Sequence, residues 1–179
     1  MAALDVDGVL NPDGDGINER VRALRMSAYE RHQYDGPGPD GEPVSGYVLV
    51  NPDHGMWLRG LLAARVDVVW ATSWGEVANS FLGPLLNLPR LPVVGVGPYS
   101  GLVWGRSAKR GPVGTYVAGR PLLWLDDQLG GKDLAWAEQR TAAGVPTLLI
   151  RIDPAFGLTP DDQACAEEWL ARLPAWGVA

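Results

Sequence analysis

The chain has 179 residues, of which 46% are hydrophobic and 20% charged, with 23 Gly and 15 Pro. That composition excludes intrinsic disorder and low complexity for the chain as a whole, and the length fits a single domain over residues 1–179. A formal net charge of −6 opposes autonomous binding to nucleic acid or anionic lipid, and the densest basic groupings are only Arg20, Arg22, Arg25 and Arg31, then Arg106, Lys109 and Arg110.

The first element is a strand at Ala2–Val6, an apolar run short enough to be buried on both faces. Residues 11–51 fit a strand–helix alternation least. The turn cluster Asp35-Gly36-Pro37-Gly38-Pro39-Asp40-Gly41 between Met26–Tyr34 and Val44–Val50 predicts a β-hairpin, with a helix over Ile17–Gln33 as the alternative because Ile17, Val21, Leu24 and Ala28 recur at helical spacing. Either element makes 11–51 a flap or minimal cap inserted after the first strand. A helix follows at His54–Arg65, a strand at Val66–Ala71, a helix at Glu76–Leu86 and a strand at Leu91–Val96. Then come a helix at Ala108–Ala118, a strand at Pro121–Leu125, a helix at Lys132–Ala143 and a strand at Pro146–Ile152. The last helix, Asp161–Leu173, opens on Thr159-Pro160-Asp161-Asp162, which supplies an N-cap hydroxyl, a first-turn proline and first-turn acids. It is expected to bury Cys165 as a structural thiol. The alternation predicts an α/β fold, a Rossmann-like three-layer sandwich around a mostly parallel sheet. A single Cys precludes an internal disulfide, acids at Asp5 and Asp7 fit no signal peptide, and no apolar run approaches the roughly 18 residues of a membrane span. The expectation is a reducing cytoplasm and no membrane partner, with an oligomer possible.

Chemistry concentrates where strands end. Asp5 and Asp7 lie two residues apart as the first strand leaves the sheet, and in an open parallel sheet ligands bind outside the carboxyl ends of the strands. Residues i and i+2 of an extended chain point to one side, so both carboxylates can face one pocket, and Gly8 permits the turn that follows. The alternative is an acidic strand end entering a turn. Trp124-Leu125-Asp126-Asp127 ends a later strand in two more acids at the same sheet edge. Two acidic strand ends suit a hard cation such as Mg²⁺, whereas neither the two His residues nor the one Cys has the spacing of a zinc site. Thr72 and Ser73 end another strand in hydroxyls and Lys109 stands near a helix start, both groups that suit phosphate. His54, at a helix start, is a candidate substrate contact or a solvated cap residue. Trp70, Trp74 and Trp104 lie near these segments, and Trp74 is the candidate for stacking on a base or sugar at the rim.

The order Asp5-x-Asp7-Gly8-Val9-Leu10-Asn11-Pro12, Thr72, Lys109, Asp126-Asp127 resembles the four motifs of the haloacid dehalogenase-like (HAD) hydrolases across residues 2–127. The chain resembles most the small actinobacterial and phage-type members, also found as a domain of RNA-repair proteins. The residues are Asn51-Pro52-x-His54-Gly55, Trp70-Ala71-Thr72-x-Trp74, Trp124-Leu125-Asp126-Asp127 and Asp153-Pro154-x-x-Gly157-Leu158-Thr159. The resemblance implies a Mg²⁺-dependent phosphomonoester hydrolase in which Asp5 becomes an aspartyl phosphate and Asp7 shuttles the proton. Asp5, the Asp7 carbonyl and Asp126 would hold the metal, with Asp127 a ligand through water or an orienter of Lys109. Thr72 and Lys109 would bind the phosphoryl group, with Ser73 in place of Thr72 if the register shifts by one. Ser73, Trp74, His54 and Asn11 are the candidate substrate contacts. The substrate would be a phosphorylated small molecule or a nucleotide or oligonucleotide end. A polynucleotide end phosphatase and a non-catalytic phosphate-binding or phospho-acceptor module are the competing expectations.

Overall fold

The computed structural model describes residues 1–13, 26–98 and 101–173. Three runs of small and branched residues, Ala2–Leu4 (β1), Val68–Trp70 (β4) and Leu122–Asp126 (β7), are buried on both faces, and with Thr147–Arg151 (β8) they make a parallel sheet in the order β4-β1-β7-β8. Ala2 pairs with Val68 on one side and Leu123 on the other, so β1 and β7 are the two central strands. Side chains alternate across the sheet with period two. Leu4, Val68, Trp70, Leu123 and Leu125 enter one hydrophobic core, and Ala3, Val69, Leu122 and Trp124 enter the other.

Helices cover both faces, which makes three layers. The first core is closed by α1 (Pro52–Ala63) through Leu58 and Leu61, and by α5 (Pro160–Ala171) through Ala166. The second is closed by α3 (Arg110–Val117) through Val113 and Val117, and by α4 (Gly131–Ala142) through Ala137. The chain is thus an α/β, Rossmann-like sandwich with a parallel central sheet. Among the described residues no helix is long and apolar enough to cross a membrane.

The insertion after β1 is the predicted hairpin: Glu30–Pro37 (β2) pairs antiparallel with Pro43–Val50 (β3), from Glu30 opposite Val50 to Pro37 opposite Pro43. Its inward residues Tyr34, Val48 and Val50 join the first core. The competing helix is excluded over 30–33, and its part within 14–25 lies outside the described residues. A smaller hairpin, Leu102–Val103 (β5) with Arg106–Ser107 (β6), precedes α3.

Three expectations are corrected. Leu91–Val96 is not a strand: Val93 bridges Trp70 in a parallel sense through Trp70 N–H to Pro92 O (2.9 Å) and Val94 N–H to Trp70 O (2.8 Å), and the prolines and glycines around it stop the ladder there. The helix over Glu76–Leu86 is a π-helical turn, Ala78–Leu82, running into the single α-turn α2 (Gly83–Leu85). Pro84 has no N–H to continue an i→i−4 ladder, which forces the widened turn before it. Cys165 is exposed, because Ala166, Trp169 and Leu170 make the buried face of α5.

Candidate active site

Asp5 directly follows β1 and lies beside β7, to which its N–H donates at Leu125 O (3.1 Å). The main-chain oxygen of Val6 then receives the N–H groups of Val9, Leu10 and Asn11 (3.1, 2.9 and 2.9 Å), so the chain coils tightly at the sheet edge. Gly8 makes this coil possible twice over. Its φ is +72°, and a Cβ there would stand 2.6 Å from Asp127 Cγ. The coil leaves Asp5 buried and Asp7 exposed, both on the wall of a cavity of about 250 Å³ that Gly8, Asn11, Ser73 and Asp127 also line. Each Asp7 oxygen accepts one hydrogen bond, Oδ1 from Asn11 Nδ2 (2.9 Å) and Oδ2 from Trp74 Nε1 (2.8 Å).

Asp126 ends β7 next to Asp5. Its Oδ2 accepts from Lys109 Nζ (3.0 Å) and Trp124 Nε1 (3.2 Å), and its Oδ1 from Gln128 N–H (2.8 Å). The same Lys109 Nζ donates to Asp5 Oδ2, so one ammonium, 0% exposed, bridges the two buried carboxylates. Lys109 is the N-cap of α3, and its neighbour Arg110 turns away to Lys132 O (2.8 Å), as helical geometry requires. Asp133, which sequence reasoning missed, fixes this arrangement. Its buried Oδ2 accepts from Ser107 N–H (2.7 Å) and Gly130 N–H (2.8 Å), and Ser107 Oγ accepts from Lys109 N–H (3.3 Å). The available signal was an acid at the third position of a helix opened by Gly130-Gly131, where a carboxylate can turn back on the N-terminus.

One carboxylate oxygen from each of Asp5, Asp126 and Asp127 falls within 4.8 Å of the others. Burial, then the Asp126 charge, pushes the Asp5 carboxyl up to about 7 against the pull of Lys109. Burial raises Asp126 and Asp127 as well. Burial would lower Lys109, but Asp5 and Asp126 more than offset it and hold it above the ordinary lysine range. Three acids against one ammonium leave the cluster short of positive charge, and its hard oxygen donors are those Mg²⁺ takes. A buried carboxylate and a second, exposed carboxylate on one cavity, with an ammonium bound to the first from behind, suit transfer of a group bearing negative oxygens.

The β4 side differs from expectation. Ser73 lines the cavity, while Thr72 is buried behind it with Oγ1 accepting Trp74 N–H (3.3 Å), so its oxygen secures the turn instead of facing the cavity. Trp74 packs on Tyr34 of the hairpin, with ring centroids 5.1 Å apart, and on Phe81 at 6.2 Å. Asn11 is a tether: while Nδ2 holds Asp7, Oδ1 accepts Leu49 N–H of β3 (2.9 Å). His54 is neither a substrate contact nor a solvated cap. Asn51 caps α1, and His54 is 2% exposed on the buried face shared with Leu58 and Leu61. Its Nε2 donates to Leu158 O (3.0 Å), and burial depresses its pKa to about 4, which keeps it neutral. Trp70 is a core residue and Trp104 is 87% exposed at the tip of the small hairpin; neither lines the cavity. Comparison of the chain with protein-family models, curated proteins and solved structures gives no match.

Proposed function

We propose that the chain is a Mg²⁺-dependent phosphomonoester hydrolase, a HAD-like phosphatase working through an aspartyl phosphate on Asp5. The observation that carries this reading is the buried Lys109 ammonium joining Asp5 to Asp126 behind a cavity whose wall Asp5 shares with Asp7, itself held by two donors. Asp5, Asp126 and Asp127 would hold the ion, with the Asp7 carbonyl as the further ligand the motif implies. When bound, Mg²⁺ supplies neutralisation of charge on the transferring oxygens.

The chain's own residues do the rest. An Asp5 oxygen attacks phosphorus in line; the bond from phosphorus to the leaving oxygen breaks, and Asp7 gives that oxygen a proton. Asp7, now a carboxylate, takes a proton from the water that attacks the aspartyl phosphate, and Asp5 is released as carboxylate with inorganic phosphate. Lys109 stabilises charge beside Asp5 throughout, and Ser73 offers a hydroxyl donor from the β4 side. A second carboxyl group at Asp7, on the same cavity wall as Asp5, favours turnover over a module that only accepts phosphate, which needs no acid at that position.

The test is phosphate release from phenyl phosphate by the full chain with Mg²⁺ and with EDTA. Release should require Mg²⁺, vanish in Asp5→Asn and fall by roughly 10²- to 10⁴-fold in Asp7→Asn, the range of a lost general acid–base group. Undiminished turnover by Asp5→Asn would overturn the mechanism.

A further inference from the structure

A second cavity, of about 230 Å³, adjoins the acidic one and shares Asp7 and Asn11 with it. Its remaining walls are apolar or aromatic: Tyr34, the Pro37–Pro39 turn, and Val44, Gly46, Tyr47 and Val48 of the hairpin, with Trp74 packed beside Tyr34. The polar atoms of the two rings are already engaged, Tyr34 Oη donating to Pro37 O (2.6 Å) and Trp74 Nε1 to Asp7 (2.8 Å). Phe81 backs both rings, edge-on to Tyr34 at 4.9 Å and stacked on Trp74 at 6.2 Å, so they are fixed in place.

The hairpin also leaves out a side chain on this wall. Gly46 pairs with Tyr34 across the strands, and a Cβ built on it meets nothing within 4 Å. The Tyr34 ring does not fill that space, since it runs along its own strand to within 2.6 Å of where a Gly36 Cβ would be. Among the described residues, neither cavity is lined by Lys or Arg, and the Arg31 guanidinium is engaged on the Tyr47 ring, 3.4 Å from its centroid, so no side-chain cation lines the slot for a second phosphate or a phosphodiester chain.

We propose that this slot binds a flat, uncharged aromatic part of the leaving group, a nucleobase or an aryl ring, while the phosphate occupies the acidic cavity. Placing the phosphate rests on the phosphomonoester reading; placing the ring does not. Asp7 stands on the wall common to both cavities, where the proton donor must be if the bond that breaks lies between them. The leaving oxygen then takes the Asp7 proton at the mouth of the slot, and the ring lies over Gly46, against the side of the packed Tyr34–Trp74 pair.

Two measurements on the full chain decide it. With Mg²⁺, kcat/KM for phenyl phosphate or for adenosine 5′-phosphate should exceed that for glycerol phosphate by roughly tenfold or more, the scale of one stacked ring. The better of the two identifies aryl ester or nucleotide as the source of the ring. Gly46→Leu, which fills the slot from a position with room for the side chain, should reduce that aromatic-to-glycerol ratio by roughly tenfold. Independently, adenosine and phenol titrated into ¹⁵N-labelled protein in EDTA should shift the Trp74 indole resonance saturably, and Gly46→Leu should abolish the shift. Shifts without phosphate release from any ester would refute the phosphatase reading and sustain the slot. Phosphate release with a ratio near one and no shift would overturn the slot and leave the phosphatase standing.

Discussion

At Asp5, two demands meet in one side chain. As the proposed nucleophile it must be ionised, yet burial and the Asp126 charge favour its neutral form and push it up to about 7. A carboxyl whose folded pKa lies above the unfolded 3.8 contributes stability that is complete below that value and is lost as pH rises through the folded one. Metal-free protein should therefore lose stability between about pH 4 and about pH 7 on account of Asp5. His54 acts the other way: depressed from 6.5 to about 4, it adds stability as pH rises over much of the same window. Comparison with Asp5→Asn separates them, because the asparagine keeps His54 and removes only the ionisation. In EDTA, the melting temperature of Asp5→Asn should exceed that of the parent by a margin that is small near pH 4 and grows to about pH 8. A margin constant across that range would mean that Asp5 ionises without penalty and that Lys109 alone sets its charge.

Several elements hold the site without touching it. The loop before α5 braces the Asp5–Asn11 coil, with Leu158 N–H donating to Val9 O (2.8 Å) and Asp13 N–H to Pro154 O (3.0 Å), while His54 ties α1 to Leu158 O. The segments around His54 and Gly157 are thus supports, and Gly157 fits because its φ is +67° and a Cβ there would lie 2.7 Å from Val9 O. The β5–β6 turn, which leads through Ser107 to Lys109, carries strain instead. Both of its central residues have positive φ, +54° at Trp104 and +75° at Gly105, the conformation of a tight hairpin turn that favours Asn-Gly. A non-glycine residue there costs roughly 1–2 kcal/mol, and an indole 87% exposed recovers little by burial. Trp104→Asn should stabilise the protein by about 1 kcal/mol, roughly 2–4 °C in Tm, with phosphate release unaltered; a lower Tm would show that the indole has a packing role. The strand ends bearing Asp5, Asp7, Asp126 and Asp127 were legible because apolar runs stop sharply there, and the hairpin because its turn cluster is dense. His54 was misread although its spacing to Leu58 and Leu61 already gave one helical face. The Asn11–Leu49, Trp74–Asp7 and Asp133–Ser107 bonds join residues 38, 67 and 26 positions apart, beyond what local spacing reports.

On the scale of the whole molecule, the acidic cluster belongs to the two central strands. Asp5 follows β1 and Asp126 ends β7, which pair with each other and are flanked by β4 and β8. Both cores meet these strands, Leu4 and Leu125 from one side and Ala3 and Trp124 from the other. A ligand that joins the strand ends is therefore linked to unfolding of the sheet, not to local opening of a loop. On the proposed reading, Mg²⁺ at about 100 times its Kd stabilises the folded state by about 2.7 kcal/mol, which for a chain of this length raises Tm by roughly 5–10 °C. The rise should grow with pH as Asp5 ionises, since the ion competes with a proton for that carboxylate, and EDTA should reverse it. Asp126→Ala should remove most of the rise and Asp127→Ala less. Asp126 is oriented by Lys109, Trp124 and Gln128 together, whereas the half-buried Asp127 is held by the Gln128 side chain (2.6 Å). A larger loss in Asp127→Ala would reverse the ligand assignment, and an unchanged melting curve with Mg²⁺ at any pH would remove the metal from the mechanism.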